Sequence, residues 1–183
     1  MKQLIYAVLC LQSDGGIGIN NRTIYPFREI PGDKERFREL TLENVVIMGR
    51  KTFESLKKPL PDRINIVISR NHDFKNQVPE RVVVFDEPGK ALTYAAQTYP
   101  NKHIAIIGGA EIYEKLWNLC DYIYITKVFH KRPADTFVKL PQNIKEVKRE
   151  RRESEEGIMY HFIDYKVIKT PDSNELKPYE IIL

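Results

Sequence analysis

Two adjacent glycines stand between an apolar run and a helical pattern in the segment "HIAIIGGAEIYEKLW". Gly108 and Gly109 follow a run typical of a buried strand, and the helical pattern begins immediately after them. Glycine lets a ligand approach the backbone closely, and a helix N-terminus offers free N–H groups and partial positive charge to a pyrophosphate. A tight strand-to-helix turn explains the pattern equally well, and the segment lacks the G-x-G-x-x-G motif of the standard dinucleotide fold. The segment therefore indicates either a turn or a phosphate site.

A second strand end combines glycine with positive charge. In "VVIMGRKT", Gly49 is followed by two cations, and Thr52 is predicted to cap a helix, "FESLKK". The next apolar run, "INIVIS", ends in Ser69 and Arg70. Arginine pairs bidentately with phosphate, so two cationic ends on neighbouring strands favour a nucleotide that carries an extra phosphate.

Asp33 is the most informative single residue. On a helical wheel of "DKERFRELT" it falls between Phe37 and Leu40, in the middle of the apolar face. One interpretation is an N-terminal cap, a common role for aspartate. The other is a carboxylate in a mostly apolar pocket, whose pKa is raised by desolvation and which can hold a polar, amidine-like substrate edge. Both interpretations stay open at this point.

The segment "SDGGIGINNRTIYPF", residues 13–27, is rich in turn residues and follows the first apolar run directly. An ordinary surface loop would not need its apolar side chains, which are Ile17, Ile19, Ile24, Tyr25 and Phe27. We therefore expect a mobile lid over a site at the end of the first strand.

The elements that position these residues alternate between strand and helix. Apolar runs at 4–11, 45–48, 64–69, 82–85, 103–108, 122–128 and 159–168 predict strands. Helical patterns begin at Asp33, Pro88 and Ala110. A charged turn precedes the last run, so the chain is expected to end in an antiparallel hairpin. The pattern predicts an α/β fold with a mostly parallel sheet and an antiparallel edge.

Composition limits the classes of function. The 183 residues carry a formal charge of +4, too small and too scattered for nucleic acid binding. No apolar run approaches the ~20 residues that cross a bilayer, and there is no leader pattern, so we expect no membrane and a cytoplasmic location. Cys10 and Cys120 read as core residues, and no metal-ligand spacing exists. We expect one domain at 1–168 and a tail of unassigned structure at 169–183.

The ordered combination "GIG…PF…PGDKERF…VIMGRKTFES…PLPDRINIVISR…IIGGAEIY…IYITKV…DTF" resembles dihydrofolate reductase from Leu4 to Val167. The resemblance implies a single-domain α/β protein, expected to be a monomer, with a central eight-stranded sheet, an antiparallel C-terminal hairpin and helices on both faces. It also implies NADPH-dependent reduction of dihydrofolate to tetrahydrofolate, which supports one-carbon metabolism, and sensitivity to antifolate inhibitors.

The resemblance assigns roles to residues at the substrate. Asp33 matches the family's carboxylate that binds the pterin 2-amino group and N3, and Thr126 buttresses it. Arg63 matches the arginine that pairs with the substrate's α-carboxylate. The remaining substrate positions implied are Ile5, Tyr6, Ala7, Lys34, Phe37, Ser55, Leu56, Leu60, Ile107 and Tyr113.

The resemblance also places the cofactor. The NADPH positions implied are Ala7, Ile17, Gly18, Gly49, Arg50, Lys51, Thr52, Ser69, Arg70, Ile107, Gly108, Gly109, Ala110, Glu111, Ile112 and Tyr113. The family often has a cis peptide between the two glycines. Asp135 and Thr136 match a loop that supports the lid.

Three features depart from the family pattern. The lid reads Tyr25-Pro26-Phe27 where the family has Leu-Pro-Trp or Met-Pro-Trp, so Phe27 supplies an apolar plug without an indole N–H. The lid is also about two residues longer. Lys34 replaces an apolar residue, and either attracts the substrate's glutamate tail or stabilises ionised Asp33.

The implied chemistry is hydride transfer from the nicotinamide C4 to pterin C6, with N5 protonated from water under the lid while Asp33 polarises the pterin. No histidine is placed to act as the acid. Two alternatives remain: a reductase of the same fold acting on a ribosylated pyrimidine in riboflavin synthesis, and a non-catalytic NADPH-binding module. The pyrimidine reductase has no reason to keep Arg63 or Asp33.

Overall fold

The computed structural model describes residues 2–26 and 29–169. The strands in chain order are β1 Ile5–Gln12, β2 Gly16–Ile19, β3 Arg22–Thr23, β4 Val45–Gly49, β5 Ile64–Ile68, β6 Val82–Phe85, β7 Ile104–Ile106, β8 Tyr122–Val128, β9 Thr136–Phe137, β10 Ile144–Glu153 and β11 Met159–Val167. The helices are α1 Asp33–Thr41, α2 Arg50–Leu56, α3 Pro88–Thr98 and α4 Ala110–Leu116, with short 3₁₀ turns at His72–Asn76 and Trp117–Leu119.

The main sheet has eight strands in the order β10-β11-β8-β1-β7-β4-β5-β6. The six strands from β8 to β6 run parallel, while β11 is antiparallel to β8 and pairs with β10 in a hairpin. Parallel strands are buried on both faces, which explains their continuous apolar runs. The predicted sheet, its antiparallel end and the eight strands are confirmed.

Helices cover both faces of this sheet. Phe37 of α1 and Phe53 of α2 pack with Val46 and Met48 of β4 on one face. On the other face, Leu92 of α3 and the apolar side of α4 pack against the opposite side chains of the same strands. The helices on both faces are therefore confirmed, and the carboxyl ends of the parallel strands lie together at one edge. That edge is where ligands bind in sheets of this kind.

The segment predicted to be a lid contains two short strands. Strands β2 and β3 form a hairpin, and β2 also pairs with β9, giving a second sheet of three strands. The side chains of Ile24 and Tyr25 are buried against Val128 and Tyr160. Periodicity did not reveal these strands because they are only two to four residues long.

Two further predictions concern helix and chain ends. The prediction that Thr52 caps a helix starting at Phe53 is wrong: α2 begins at Arg50 with Gly49 as its cap residue, and Thr52 lies in the first turn. Among the described residues, no helix combines the length and apolar character needed to span a membrane. Most of the tail predicted at 169–183 lies outside the described residues.

Candidate active site

The Asp33 carboxyl group is buried and hydrogen-bonded from the sheet. Helix α1 begins at Asp33, after Gly32 in the left-handed conformation at φ 80°, and Asp33 is only 6% exposed. The Thr126 hydroxyl donates to Asp33 Oδ1 at 2.6 Å. Because the cap residue is Gly32 and Asp33 bonds across to β8, the interpretation of Asp33 as a simple helix cap is wrong.

Burial is the main influence on this carboxyl group. Desolvation raises the pKa of Asp33 above its ordinary value, and the Thr126 hydrogen bond and the positive charge of Arg36 oppose that rise. A buried carboxylate held by one hydroxyl keeps further acceptor capacity for a ligand with paired N–H donors.

The strand register shows which part of β1 lies beside this carboxyl group. Thr126 is paired with Cys10 of β1. The sequence assigned Ile5, Tyr6 and Ala7 to the substrate, but Ala7 is paired with Ile106 and Ile123, three residues before Cys10 and about 10 Å along the strand. The structure therefore does not bring these three residues to Asp33.

Each of the three has another role in the fold. The Ile5 N–H donates to Asp121 Oδ2 at 2.9 Å, the Tyr6 hydroxyl donates to the Leu40 carbonyl, and Ala7 is fully buried. The β1 residues on the Asp33 side, near the carboxyl end, are Val8 and Cys10. The rule that ligands lie at the carboxyl ends of parallel strands was the available signal for them.

The two glycine turns predicted from the sequence lie against each other. The Gly108–Gly109 peptide is cis, and Gly108 has φ 116°. The Gly49 N–H donates to the Gly108 carbonyl at 2.7 Å, which joins the carboxyl ends of β4 and β7. A Cβ on Gly49 would come within 3.2 Å of Ile112, and one on Gly108 within 3.3 Å of the Tyr113 hydroxyl.

This junction also contacts β1, at Val8 in the middle of the strand. The Tyr113 hydroxyl donates to the Val8 carbonyl at 2.7 Å, and Tyr113 is 4% exposed. The hydroxyl of Thr52 lies 3.5 Å from the position that a Cβ would take on Gly108 and 3.4 Å from that on Gly109. The other residues predicted to bind here lie directly before and after the two glycines in the chain. Ile107 follows β7, and the first turn of α4 contains Ala110, Glu111 and Ile112. The junction is a crowded backbone surface, and at Gly108 the positive φ favours glycine.

Cations stand at the neighbouring strand ends. Arg50 pairs with Glu54 at 2.9 Å, and Arg70, whose side chain is 84% exposed, lies 3.9 Å from Glu111. Ser69 is buried, and its hydroxyl accepts the Asn71 N–H. A cavity of about 200 Å³ opens here and is lined by Ser69, Asn71, His72, Lys75, Val84, Phe85 and Asp86. Together with the exposed Lys51, these groups give an accessible, partly positive edge.

Arg63 is held in place at the other end of the site. Its Nε and Nη2 donate to the Thr41 hydroxyl at 3.2 and 3.1 Å, and its Nη1 donates to the Pro61 carbonyl at 2.6 Å. Burial, and then repulsion from Arg38, lower the pKa of Arg63. Two adjacent cations suit an anionic ligand group. The sequence pattern did not indicate that Arg38 belongs to this part of the site.

Three apolar residues assigned to the substrate pack on the face of the sheet that α1 and α2 cover. They are Phe37, Leu56 and Leu60, which pack against the apolar cluster around Val46 and Met48 of β4. Ser55 is exposed, and its hydroxyl donates to the Thr52 carbonyl at 2.6 Å. Lys34 is exposed, and the cation acting on Asp33 is Arg36, so the suggestion that Lys34 stabilises ionised Asp33 is not supported.

The lid segment is tied to the loop before β9. The Asn20 N–H donates to Asp135 Oδ2 at 2.7 Å, and the Asp135 N–H donates to the Gly18 carbonyl at 3.0 Å. Ile17 is half-buried in β2, next to Gly18. The contacts predicted for Asp135 and its neighbour Thr136 are therefore present.

The end of the lid is anchored by a cation. The Tyr25 hydroxyl donates to the His130 carbonyl, and Arg132 lies 4.7 Å from the Tyr25 ring centroid while pairing with Glu29 at 2.6 Å. Phe27, predicted as the apolar plug, lies outside the described residues. In the described part of the chain, no group of three or more His, Cys, Asp or Glu could hold a metal ion.

Comparisons with known proteins give one consistent result. A family model described as "Dihydrofolate reductase" matches residues 4–167. A bifunctional dihydrofolate reductase-thymidylate synthase of Paramecium tetraurelia is 36% identical over 177 residues, which is 92% of this chain and 35% of that protein. A type 8 dihydrofolate reductase of Escherichia coli is 31% identical, covering 88% of this chain and 95% of that protein.

A solved structure is also similar. It is the dihydrofolate reductase of Enterococcus faecalis complexed with NADP(H) and RAB-propyl, with a TM-score of 0.78 and 25% identity. The match covers 90% of this chain and 96% of that chain. This chain thus spans about a third of the length of the bifunctional relative and nearly all of the two shorter proteins.

Proposed function

The chain belongs to the dihydrofolate reductase family, and we propose that it reduces 7,8-dihydrofolate to 5,6,7,8-tetrahydrofolate with NADPH. The observation that carries this proposal is the arrangement around the end of β1. The buried, hydrogen-bonded carboxyl group of Asp33 lies on one side, and the contact between Gly49 and Gly108 lies on the other. A substrate that pairs with Asp33 would therefore lie next to a cofactor held at the glycines.

The residues at the glycine junction fit a dinucleotide. The absence of side chains at Gly49 and Gly108 lets the ends of β4 and β7 pack closely beside Ile112 and Tyr113, and a cofactor would lie against this glycine backbone. Arg50, Lys51 and Arg70, with Ser69, would hold the phosphates, and the start of α4 at Ala110 would face the pyrophosphate. When bound, NADPH supplies a hydride from the nicotinamide C4 to pterin C6.

Asp33 binds and polarises the pterin. Its ionised carboxylate accepts hydrogen bonds from the 2-amino group and N3, and Thr126 fixes its orientation from the sheet. Each hydrogen bond to a charged group contributes about 1.5–3 kcal/mol. The rest of the substrate is placed by Phe37, Leu56 and Leu60, and Arg63 pairs with the α-carboxylate of the glutamate.

The proton for N5 comes from water rather than from a histidine. The four histidines, His72, His103, His130 and His161, lie away from Asp33 in the fold. His103 accepts the Leu4 N–H at the amino end of the sheet, and His161 lies on the outer hairpin beside Phe129. The lid excludes bulk solvent, so one ordered water near N5 suffices as the acid.

We also propose that residues 1–168 form the catalytic domain, that 169–183 is a tail, and that the protein is a cytoplasmic monomer that binds antifolates and no nucleic acid. The net charge is only +4, because lysines and arginines are interspersed with aspartates and glutamates. Strand β10, which mixes lysine, arginine and glutamate, is an example. Sedimentation velocity with and without single-stranded RNA tests whether the protein is monomeric and whether it binds nucleic acid.

The enzymatic proposal is tested by following NADPH absorbance with dihydrofolate for the native protein and for Asp33→Asn. Loss of the charge on Asp33 weakens two hydrogen bonds to the pterin, so kcat/KM is expected to fall about 10²- to 10⁴-fold. Glu39→Gln, an exposed carboxylate of the same helix, is the matched control and keeps native activity.

The alternatives give different results in this assay. A native protein that bound NADPH without oxidising it in the presence of dihydrofolate would contradict the proposal. Turnover of a ribosylated pyrimidine would then identify the riboflavin-pathway reaction, and absence of turnover with both substrates would identify a binding module. The presence of both Asp33 and Arg63 favours the folate substrate.

A further inference from the structure

Arg36 is clamped on the inner side of helix α1. Its Nη2 pairs with Asp164 Oδ1 of β11 at 2.7 Å, and the two side chains are only 18% and 19% exposed. The guanidinium carbon lies 5.0 Å from the Phe162 ring centroid and 5.7 Å from that of Tyr124. An arginine held by a carboxylate and two rings is a fixed charge, unlike the mobile cations of a protein surface.

The sheet places this charge beside the active-site carboxyl group. Thr126, which bonds Asp33, is paired with Phe162, and Tyr124 is paired with Asp164. These four residues lie on the face of the sheet covered by α1, because paired and alternate residues of neighbouring strands share a face. Thr126 and Tyr124 are two residues apart, about 7 Å along β8.

The same neighbourhood follows from the helix. Asp33 and Arg36 are three residues apart in α1 and therefore lie on one side of it. The carboxyl group contacts the sheet at Thr126, and the guanidinium contacts it one alternate position further along β8. The positive charge of Arg36 therefore acts on Asp33 while the guanidinium itself is paired with Asp164, which leaves the carboxylate oxygens for the substrate.

Other charged or titratable groups also face Asp33. They are the exposed Glu35 on α1, Cys10 on β1 and Tyr160 on β11, and Arg152 on β10 lies beside Gly32, where its Nη1 would be 3.3 Å from a Cβ. Burial raises the pKa of the Cys10 thiol and of the Tyr160 hydroxyl, so both are neutral in the physiological range. Glu35 raises the pKa of Asp33, whereas Arg36 lowers it. Arg36 is therefore the side chain whose charge counters the burial of Asp33.

We infer that Arg36, fixed by Asp164, is a positioning residue that keeps Asp33 ionised across the pH range in which the enzyme binds its substrate. The inference rests on the proposed function for its purpose, since an ionised Asp33 is what pairs with the pterin. Its physical content does not depend on turnover. The charge of Arg36, together with the Thr126 hydrogen bond, favours the ionised form of Asp33 in the ligand-free protein.

Three variants separate charge from packing. Arg36→Met removes the charge and keeps an unbranched side chain over the two rings, and Arg36→Lys keeps the charge. Arg36→Gln removes the charge and keeps a polar side chain at the same position. The protonation of Asp33 is read in the ligand-free protein by carbon-13 NMR of labelled aspartate carboxyl groups, with the Asp33 resonance assigned from its absence in Asp33→Asn.

The expected shifts separate the variants. In Arg36→Met and Arg36→Gln the titration of Asp33 moves to higher pH, and in Arg36→Lys it stays close to native. The acid limb of kcat/KM moves with it, and each pH unit of movement changes kcat/KM on that limb about tenfold. A purely structural role would change thermal stability and leave the titration in place.

An unchanged titration of Asp33 in Arg36→Met would overturn the inference, as would equal shifts in the lysine and methionine variants. If Arg36→Met did not fold, as judged by circular dichroism, Arg36→Gln would decide: a shift to higher pH supports the inference and no shift refutes it. Because the NMR titration needs no substrate, failure of the dihydrofolate assay would refute the proposed function without deciding the role of Arg36.

Discussion

Replacing Asp33 with asparagine is expected to stabilise the ligand-free protein at neutral pH while removing its activity. The carboxyl group is 6% exposed, and its burial raises its pKa more than Thr126 and Arg36 lower it. Folding therefore costs free energy whenever Asp33 is ionised. Asparagine has the same shape, and its Oδ1 can still accept the Thr126 hydroxyl, so the variant avoids most of that cost.

The sign of the pH dependence follows from the direction of the pKa shift. A carboxyl group whose pKa is higher in the folded than in the unfolded protein favours folding below the unfolded value of about 3.9, and this contribution is lost as pH rises through the folded value. The free energies of unfolding of native and variant proteins should therefore be similar in acid. They should separate as pH rises, with the variant more stable.

The expected gain is modest because two attractions are lost with the charge. The Thr126 hydrogen bond becomes weaker, and the attraction to Arg36 disappears. We expect a net gain of about 1 kcal/mol at neutral pH, in the range found for stabilising changes at functional sites. For a chain of this size that corresponds to a rise in Tm of about 2–4 °C.

Urea unfolding of the ligand-free proteins at a series of pH values above about 4 measures this gain. Glu39→Gln, on the exposed side of the same helix, should change the unfolding free energy by less than about 0.5 kcal/mol and show no comparable pH dependence. A less stable Asp33→Asn at neutral pH, or a difference that does not vary with pH, would refute the claim that Asp33 is held ionised at a cost to folding.

Thr126→Val removes the hydroxyl that donates to Asp33 at 2.6 Å; kcat/KM should fall about 10- to 100-fold and its acid limb should move to higher pH, whereas Thr126→Ser should remain near native. Arg63→Gln should raise KM for dihydrofolate about 30-fold or more with little change in kcat, and should not affect a substrate analogue lacking the glutamate; equal effects on both would contradict its pairing with the α-carboxylate. Gly108→Ala, at φ 116° and 3.3 Å from the Tyr113 hydroxyl, should weaken NADPH binding measured by fluorescence titration and destabilise the protein by about 1–3 kcal/mol. Gly89→Ala in helix α3, where a Cβ meets nothing within 4 Å, is the control and should stabilise by about 0.5–1 kcal/mol; native NADPH affinity in the Gly108 variant would refute the role of the turn.

The mostly parallel sheet and Asp33 as a candidate site residue could be predicted from local patterns. Buried parallel strands are marked by continuous apolar runs, and a charged residue on the apolar side of a helix stands out against its neighbours, as Asp33 does. The glycine junction could be predicted because paired glycines at a strand-to-helix boundary indicate a close approach of the backbone to another group. Each of these signals lies within a short stretch of chain.

Register was not recoverable in the same way. The run from Ile5 to Leu11 is apolar at almost every position, so nothing inside it marks which residue lies beside Asp33. The pairing of Cys10 with Thr126 decides the matter, and that pairing depends on how β1 and β8 align, more than a hundred residues apart. The register places Cys10, rather than Ile5, Tyr6 or Ala7, opposite Thr126.

The charges that act on Asp33 and on a bound anion were also hidden. Arg36 and Asp164 are far apart in sequence, and only the adjacency of β8 and β11 makes them a pair. In the sequence, Arg38 is simply a cation on the polar side of α1, and only the fold brings it near Arg63. Electrostatics of this kind depends on tertiary distances, which propensity and periodicity do not contain.

Hydride transfer from NADPH to the pterin is tested most directly by isotopic labelling. Dihydrofolate is incubated with the native protein and NADPH carrying deuterium at both C4 positions, and the product is examined by mass spectrometry and NMR. We expect tetrahydrofolate with a single deuterium at C6, formed far more slowly by Asp33→Asn. Oxidation of NADPH without deuterium at C6, or recovery of unreacted dihydrofolate, would contradict the assignment of this protein as a dihydrofolate reductase.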